Sequence, residues 1–135
     1  MPYRIQWLDE AKGIYKITIT DPFTPREQDA FFSDFFQFMN SAQPDLYGIF
    51  DVTGWSDNGM RGLSDPRFQR MLSYREKIRH IVMVSNNIIA VTAARVGARL
   101  AGQRDWFHFT ATLDEASTYL DTYIAAHQPT PASPS

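Results

Sequence analysis

Cysteine is absent from all 135 residues. That excludes disulfides, thiolate nucleophiles and Cys-based zinc sites, and it fits a reducing compartment. No apolar run approaches the ~20 residues needed to cross a bilayer. No basic start followed by an apolar stretch marks a signal peptide. The expectation is a cytoplasmic protein without a transmembrane segment. Phosphate-binding loops of the Gly-x-Gly-x-x-Gly or Walker type are missing, and so is a Gly-x-Ser-x-Gly nucleophile elbow. Histidine is scarce. His80, His108 and His127 have neither helical nor hairpin spacing to one another, so no metal site is expected. Basic residues also run out: none follows Arg104.

Charge is uneven along the chain. Residues 1–60 carry nine acids against four bases, residues 61–104 carry nine bases against Asp65 and Glu76, and the remainder carries four acids and no base. A positive middle third offers a surface to an acidic partner. The plainer reading is solvated helix faces matched by acids nearby in space. A sequence pI near 5.8 argues against a broad nucleic-acid footprint, and no nucleic-acid partner is expected.

The length suits one domain. Tyr3, Ile5 and Trp7 alternate with polar residues, as do Tyr15, Ile17 and Ile19, with a turn at residues 9–13; together they predict an antiparallel hairpin. Thr24-Pro25-Arg26-Glu27 opens a helix with a capping residue, a first-turn proline and a capping box. That helix carries Phe31, Phe32, Phe35, Phe36, Phe38 and Met39. At 3.6 residues per turn, Phe31, Phe35, Phe38 and Met39 share a face, Phe32 borders it and Phe36 lies further round. So wide a stripe reads as a core face, with a dimer contact or a pocket for an apolar ligand as the alternatives (Phe31, Phe32, Phe35, Phe36, Met39).

Leu46 to Val52 is nearly continuous in apolar character, as expected of a strand covered on both faces. Gly48 there leaves room for a helix. Residues 53–66 form a long polar loop. A helix follows, capped by Ser64 or Asp65, with Phe68, Met71, Leu72 and Ile78 inward and its arginines outward. His80 to Ser85 predicts a second buried strand. Ile88 to Leu100 predicts a helix with one small-residue side, stopped by Gly102. Trp106 to Thr110 predicts the last strand. Thr112-Leu113-Asp114-Glu115 opens the last helix, whose inward residues are Ala116, Leu120, Tyr123 and Ile124. Residues 1–127 are therefore the folded unit. Residues 128–135, rich in Pro, Thr, Ala and Ser, are expected to be a disordered tail. The order, two strands and then helices alternating with strands, predicts an α/β sandwich with a mixed, mostly parallel sheet and helices packed on it.

Three segments carry a family resemblance: Leu46–Gly54 with its Phe-Asp-Val-Thr-Gly ending, Arg79–Asn86 with a basic residue leading an apolar strand, and Phe107–Leu120 with an aromatic strand running into Thr-Leu-Asp-Glu-Ala. Taken in this order, over most of residues 3–126, they resemble the STAS domain of bacterial anti-sigma-factor antagonists, in its divergent SpoIIAA-like branch. The resemblance implies a non-catalytic regulatory module that binds a protein partner, itself included. For such a module the expected recognition surface here is the loop after Asp51 with the basic helix of Arg67, Arg70 and Arg75. The family's phosphoacceptor serine has no counterpart: Ser56-Asp57-Asn58-Gly59 places Asn58 at that position. On the same analogy the gap between the Phe-rich helix and the sheet is a candidate site for a small apolar, lipid-like ligand.

The candidate binding residues are Asp51, Thr53, Ser56, Asp57, Asn58, Arg61, Arg67, Arg70, Ser85 and Asn86, and no residue is assigned a catalytic role. Asp51 ends a strand, where carboxylates touch ligands or bond the local turn. Asp51-Val52-Thr53-Gly54 with Ser85 is also similar to haloacid-dehalogenase-type phosphatases, in which the Asp is the nucleophile. Their second Asp is Thr53 here, and their late acidic pair is missing. No cofactor is expected.

Overall fold

The computed structural model describes residues 2–56, 66–86 and 106–127. Among the described residues five strands form one sheet: β1 (Tyr3–Asp9), β2 (Ile14–Thr20), β3 (Leu46–Gly54), β4 (Ile78–Val84) and β5 (Phe107–Thr110). Their spatial order follows the chain, with β1 antiparallel to β2 and the other pairs parallel. The α-helices among the described residues are α1 (Pro25–Ser41), the short α2 (Pro66–Arg70) and α3 (Leu113–His127). This is an α/β fold with a mixed sheet.

Period-2 alternation sorts the side chains onto two faces. Tyr15, Ile17, Ile19, Phe50, Val52, Ile81 and Met83 face α1, and its inward stripe is Phe31, Phe32, Phe35 and Met39. Ile14, Ile49, Val82 and Val84 face α3 through Ala116, Leu120 and Ile124. Phe31, Phe35 and Met39 are fully buried. Each such burial stabilises by ~1.5–3 kcal/mol relative to exposure. Phe38 lies on the inner face as expected, half-buried against Trp7 and Tyr15.

The local signals explain the element ends. Thr24 Oγ1 accepts from the Glu27 N–H at 3.3 Å, and Thr112 Oγ1 accepts from the Glu115 N–H at 3.2 Å. Lys77 Nζ donates to the Met39 carbonyl at 2.6 Å, which places a cation at the carboxyl end of α1. Gly13, at φ 72°, closes the turn between β1 and β2, and its carbonyl accepts from the Tyr47 N–H at 2.9 Å.

Four details differ from the sequence expectation. The strand from Leu46 continues through Thr53 to Gly54, so the loop begins later. The helix expected to reach Ile78 ends at Arg70; a 3-10 turn follows at Met71–Tyr74, and Ile78 opens β4. Ser73 Oγ donates to the Arg70 carbonyl at 2.7 Å, taking the helix end into a turn. Gly48 is covered by a ring from the adjacent strand: a Cβ at Gly48 would lie 2.5 Å from Tyr15 Cζ. Trp106 precedes the last strand and is buried, its indole N–H donating to the Ile78 carbonyl at 2.8 Å.

The caps proposed at Ser64 and Asp65, the helix over Ile88–Leu100, the stop at Gly102 and the tail 128–135 lie outside the described residues, as do the side chains of Phe68, Met71 and Leu72. Among the described residues no helix is long and apolar enough to cross a membrane.

Candidate functional site

Parallel pairing puts the carboxyl ends of β2, β3 and β4 side by side, and most of the candidate polar residues described lie there. Asp51 Oδ1 accepts from the Thr53 N–H at 3.1 Å and from the Thr53 hydroxyl at 2.7 Å. This is the turn-forming role open to an Asp at a strand end. Just beyond β2, Asp21 accepts from the Ser56 N–H on both carboxylate oxygens, at 3.1 and 3.2 Å, and from the Ser56 hydroxyl at 3.1 Å. The Asp21 N–H donates in turn to the Gly54 carbonyl at 2.9 Å. The Asp21–Pro22 peptide is cis. Beneath this rim Trp55 is buried edge-to-face against Phe23, with centroids 5.1 Å apart.

Ser85 follows β4, next to the Asp51 end of β3, and its N–H donates to the Thr110 carbonyl at 3.0 Å. Asn86 beside it is exposed. Asp51, Thr53, Ser56, Ser85 and Asn86 therefore share one edge. Asp57, Asn58 and Arg61 lie outside the described residues. Sequence reasoning missed Asp21. The signal was an acid directly after a strand that pairs in parallel with β3, and it becomes visible once that pairing is known.

Among the described residues this edge shows no topological switch point. Such points lie where strand order reverses and helices diverge to opposite faces, and the described strands run in chain order without reversal.

Arg67 and Arg70, expected outward, lie over α1. Arg67 sits 4.5 Å above the Phe32 ring and pairs with Asp29 at 2.6 Å, and Arg70 sits 4.5 Å above Phe36. Phe36 also stacks on Tyr74 at 6.1 Å. Arg75 lies 5.6 Å from the Trp106 ring, and Arg79 pairs with Asp45 at 2.6 Å. Among the described bases, Arg67 and Arg79 thus meet acids, while Arg70 and Arg75 lie over rings. The candidate apolar-site residues Phe31, Phe32, Phe35 and Met39 pack into the core itself, with Phe36 half-buried beside them.

The amino ends of the parallel strands border an open groove of about 1240 Å³, with Trp7, Phe38, Tyr47, Arg79, Tyr123 and His127 among its walls. Burial raises the Tyr47 phenol above its usual range.

The three histidines gather on two tyrosines of α3. His108 stacks on Tyr119 at 3.6 Å, and His80 and His127 each stack on Tyr123 at 4.0 Å. His80 Nε2 is 3.0 Å from the Tyr119 hydroxyl, and burial raises the pKa of that phenol. Residue spacing alone did not reveal this seam, because it joins two strands to one helix. Among the described residues no three His, Asp or Glu side chains are placed to hold a metal ion.

No family model, no curated protein and no solved structure matches the chain.

Proposed function

We propose that this chain is a non-catalytic protein-binding module of the STAS-like kind, and that its contact surface is the carboxyl edge of β2 and β3. The observation that carries the reading is the pair of carboxylates at this edge. Asp51 and Asp21 are engaged by backbone N–H groups and hydroxyls of residues 53 and 56. Carboxylates held in this way stiffen an exposed rim and present it in one shape, which favours recognition over nucleophilic or acid–base chemistry. Arg67 and Arg70 fall outside the proposed surface, since they cover Phe32 and Phe36.

The test places a photo-crosslinking residue at Thr53 in the full chain and, separately, at Lys12 beside the groove. Each protein is irradiated in extract of its own cells. A defined protein should couple at position 53 and not at position 12. When repurified, that protein should bind Thr53→Arg at least tenfold more weakly than wild type. Equal coupling at both positions, or unchanged affinity for Thr53→Arg, refutes the reading.

A further inference from the structure

Among the described residues the sheet has two edges, β1 and β5, and they are unlike. β5 is four residues long, whereas β1 runs seven residues without a proline. Among the described residues, Leu8 on β1 is the exposed large hydrophobic, at 45%. Beside it Ile5 and Trp7 are only half-buried on the α1 face.

The backbone of β1 states which groups look outward. The Thr20 N–H donates to the Pro2 carbonyl at 2.7 Å, and Tyr3 lies opposite Ile19 in the same ladder. In an antiparallel pair, residues whose N–H and C=O face the partner strand alternate with residues whose groups face away. Pro2, Arg4 and Gln6 therefore turn towards β2, and Tyr3, Ile5 and Trp7 offer their N–H and C=O groups to the open edge.

We infer that this edge pairs with the same edge of a second copy, β1 against β1 antiparallel, about a two-fold axis through Gln6. Gln6 is the midpoint of Tyr3–Asp9, so this register gives the longest overlap. It sets Ile5 opposite Trp7 of the other copy, at positions where each pair exchanges both backbone hydrogen bonds. The two half-buried side chains then cover one another, and an aromatic–β-branched cross-strand pair is favourable. Arg4 falls opposite Leu8, so no cation meets a cation. Shifting the axis to Arg4 would set two guanidinium groups face to face. The irregularity between Trp7 and Asp9 ends the ladder just beyond Trp7. Joining β1 to the β5 edge instead would be heterologous and open-ended, whereas the two-fold closes on itself.

The chain's lack of cysteine makes the test clean. At a non-hydrogen-bonded antiparallel pair the Cα atoms are ~4.5 Å apart, within the span of a disulfide. Gln6→Cys should therefore oxidise to a covalent dimer under copper–phenanthroline, and Arg4→Cys should do so far more slowly. Wild type should show dimer mass in sedimentation. Ile5→Pro removes an N–H that the proposed dimer uses and β2 does not, and it should be a monomer with an unchanged circular dichroism spectrum. Gln6→Glu opposes two carboxylates without touching the backbone and should weaken the dimer several-fold; it decides the matter if Ile5→Pro does not fold. Monomer mass for wild type at every concentration, equal oxidation at positions 4 and 6, or dimers of Gln6→Glu as tight as wild type would overturn the proposal.

Discussion

On the α1 face of the sheet the core is rich in rings. Phe31 lies edge-to-face with Tyr3 and Phe23, and Phe35 lies edge-to-face with Tyr74. On the α3 face it is aliphatic and thinner, with Ala116, Leu120 and Ile124 over Ile49, Val82 and Val84. Polar aromatics border that second layer, and they are the same His–Tyr stacks described above. The contrast separates two jobs. Large rings remove the most apolar area from water, so the α1 face supplies the bulk of stability. The α3 face buries less aromatic area, and directional contacts such as His80 to Tyr119 set how the helix lies.

The largest expected effect tests that division directly. Phe35→Ala removes a fully buried ring and should cost about 3–5 kcal/mol in urea unfolding. That is a large share of the ~5–15 kcal/mol that holds a domain folded. Leu120→Ala, equally buried on the other face, should cost less, near the lower end of the ~2–5 kcal/mol range for such truncations. A Leu120→Ala loss as large as that of Phe35→Ala would break the comparison.

How much of this was legible beforehand depends on how local each signal is. Thr24 and Thr112 cap as their spacing indicates, and the β1–β2 hairpin follows from alternation of Tyr3, Ile5 and Trp7 with Tyr15, Ile17 and Ile19. The stripe of Phe31, Phe35, Phe38 and Met39 is readable from helical period, with Phe38 at its half-buried end. Nothing in α1 alone announces that Phe38 meets the Trp7 ring, which leaves it only half-buried. At the candidate site, the placement of Asp51, Thr53 and Ser85 at one strand end follows from their positions in apolar runs. The bond from Ser56 to Asp21 spans 35 residues and exists only because β2 and β3 run parallel. The three histidines are likewise far apart in sequence, and converge only once β4 and β5 lie beneath α3.

A smaller effect sharpens the comparison within the ring-rich face. Gly48→Ala would place a methyl against the buried Tyr15 ring, so something must shift. Overpacking of this kind costs ~1–3 kcal/mol. In a Tyr15→Leu background the obstructing ring is gone, and Gly48→Ala should then cost little. The double-mutant cycle therefore measures how firmly one ring holds the β2–β3 contact. Equal costs in the two backgrounds would mean that Gly48 matters for backbone freedom alone.

The smallest effect is confined to alkaline pH. Tyr3 stands where β1 meets α1, its hydroxyl donating to Asp34 at 2.5 Å. That hydrogen bond, with burial and the carboxylate's charge behind it, raises the Tyr3 pKa from 10.0 to about 12. The folded state thus favours the neutral phenol. A group whose folded pKa is raised contributes stability in full below its unfolded pKa and loses it as pH climbs through the folded value. The Tyr3 contribution should be constant at neutral pH and disappear between about pH 10 and 12. Tyr3→Phe lacks the group that titrates. Its stability should lie below wild type at pH 8 by a fixed amount, and the gap should narrow through that window. A gap that stays constant up to pH 12 would show that Tyr3 holds α1 by packing against Phe23 and Phe31, with no contribution from its proton.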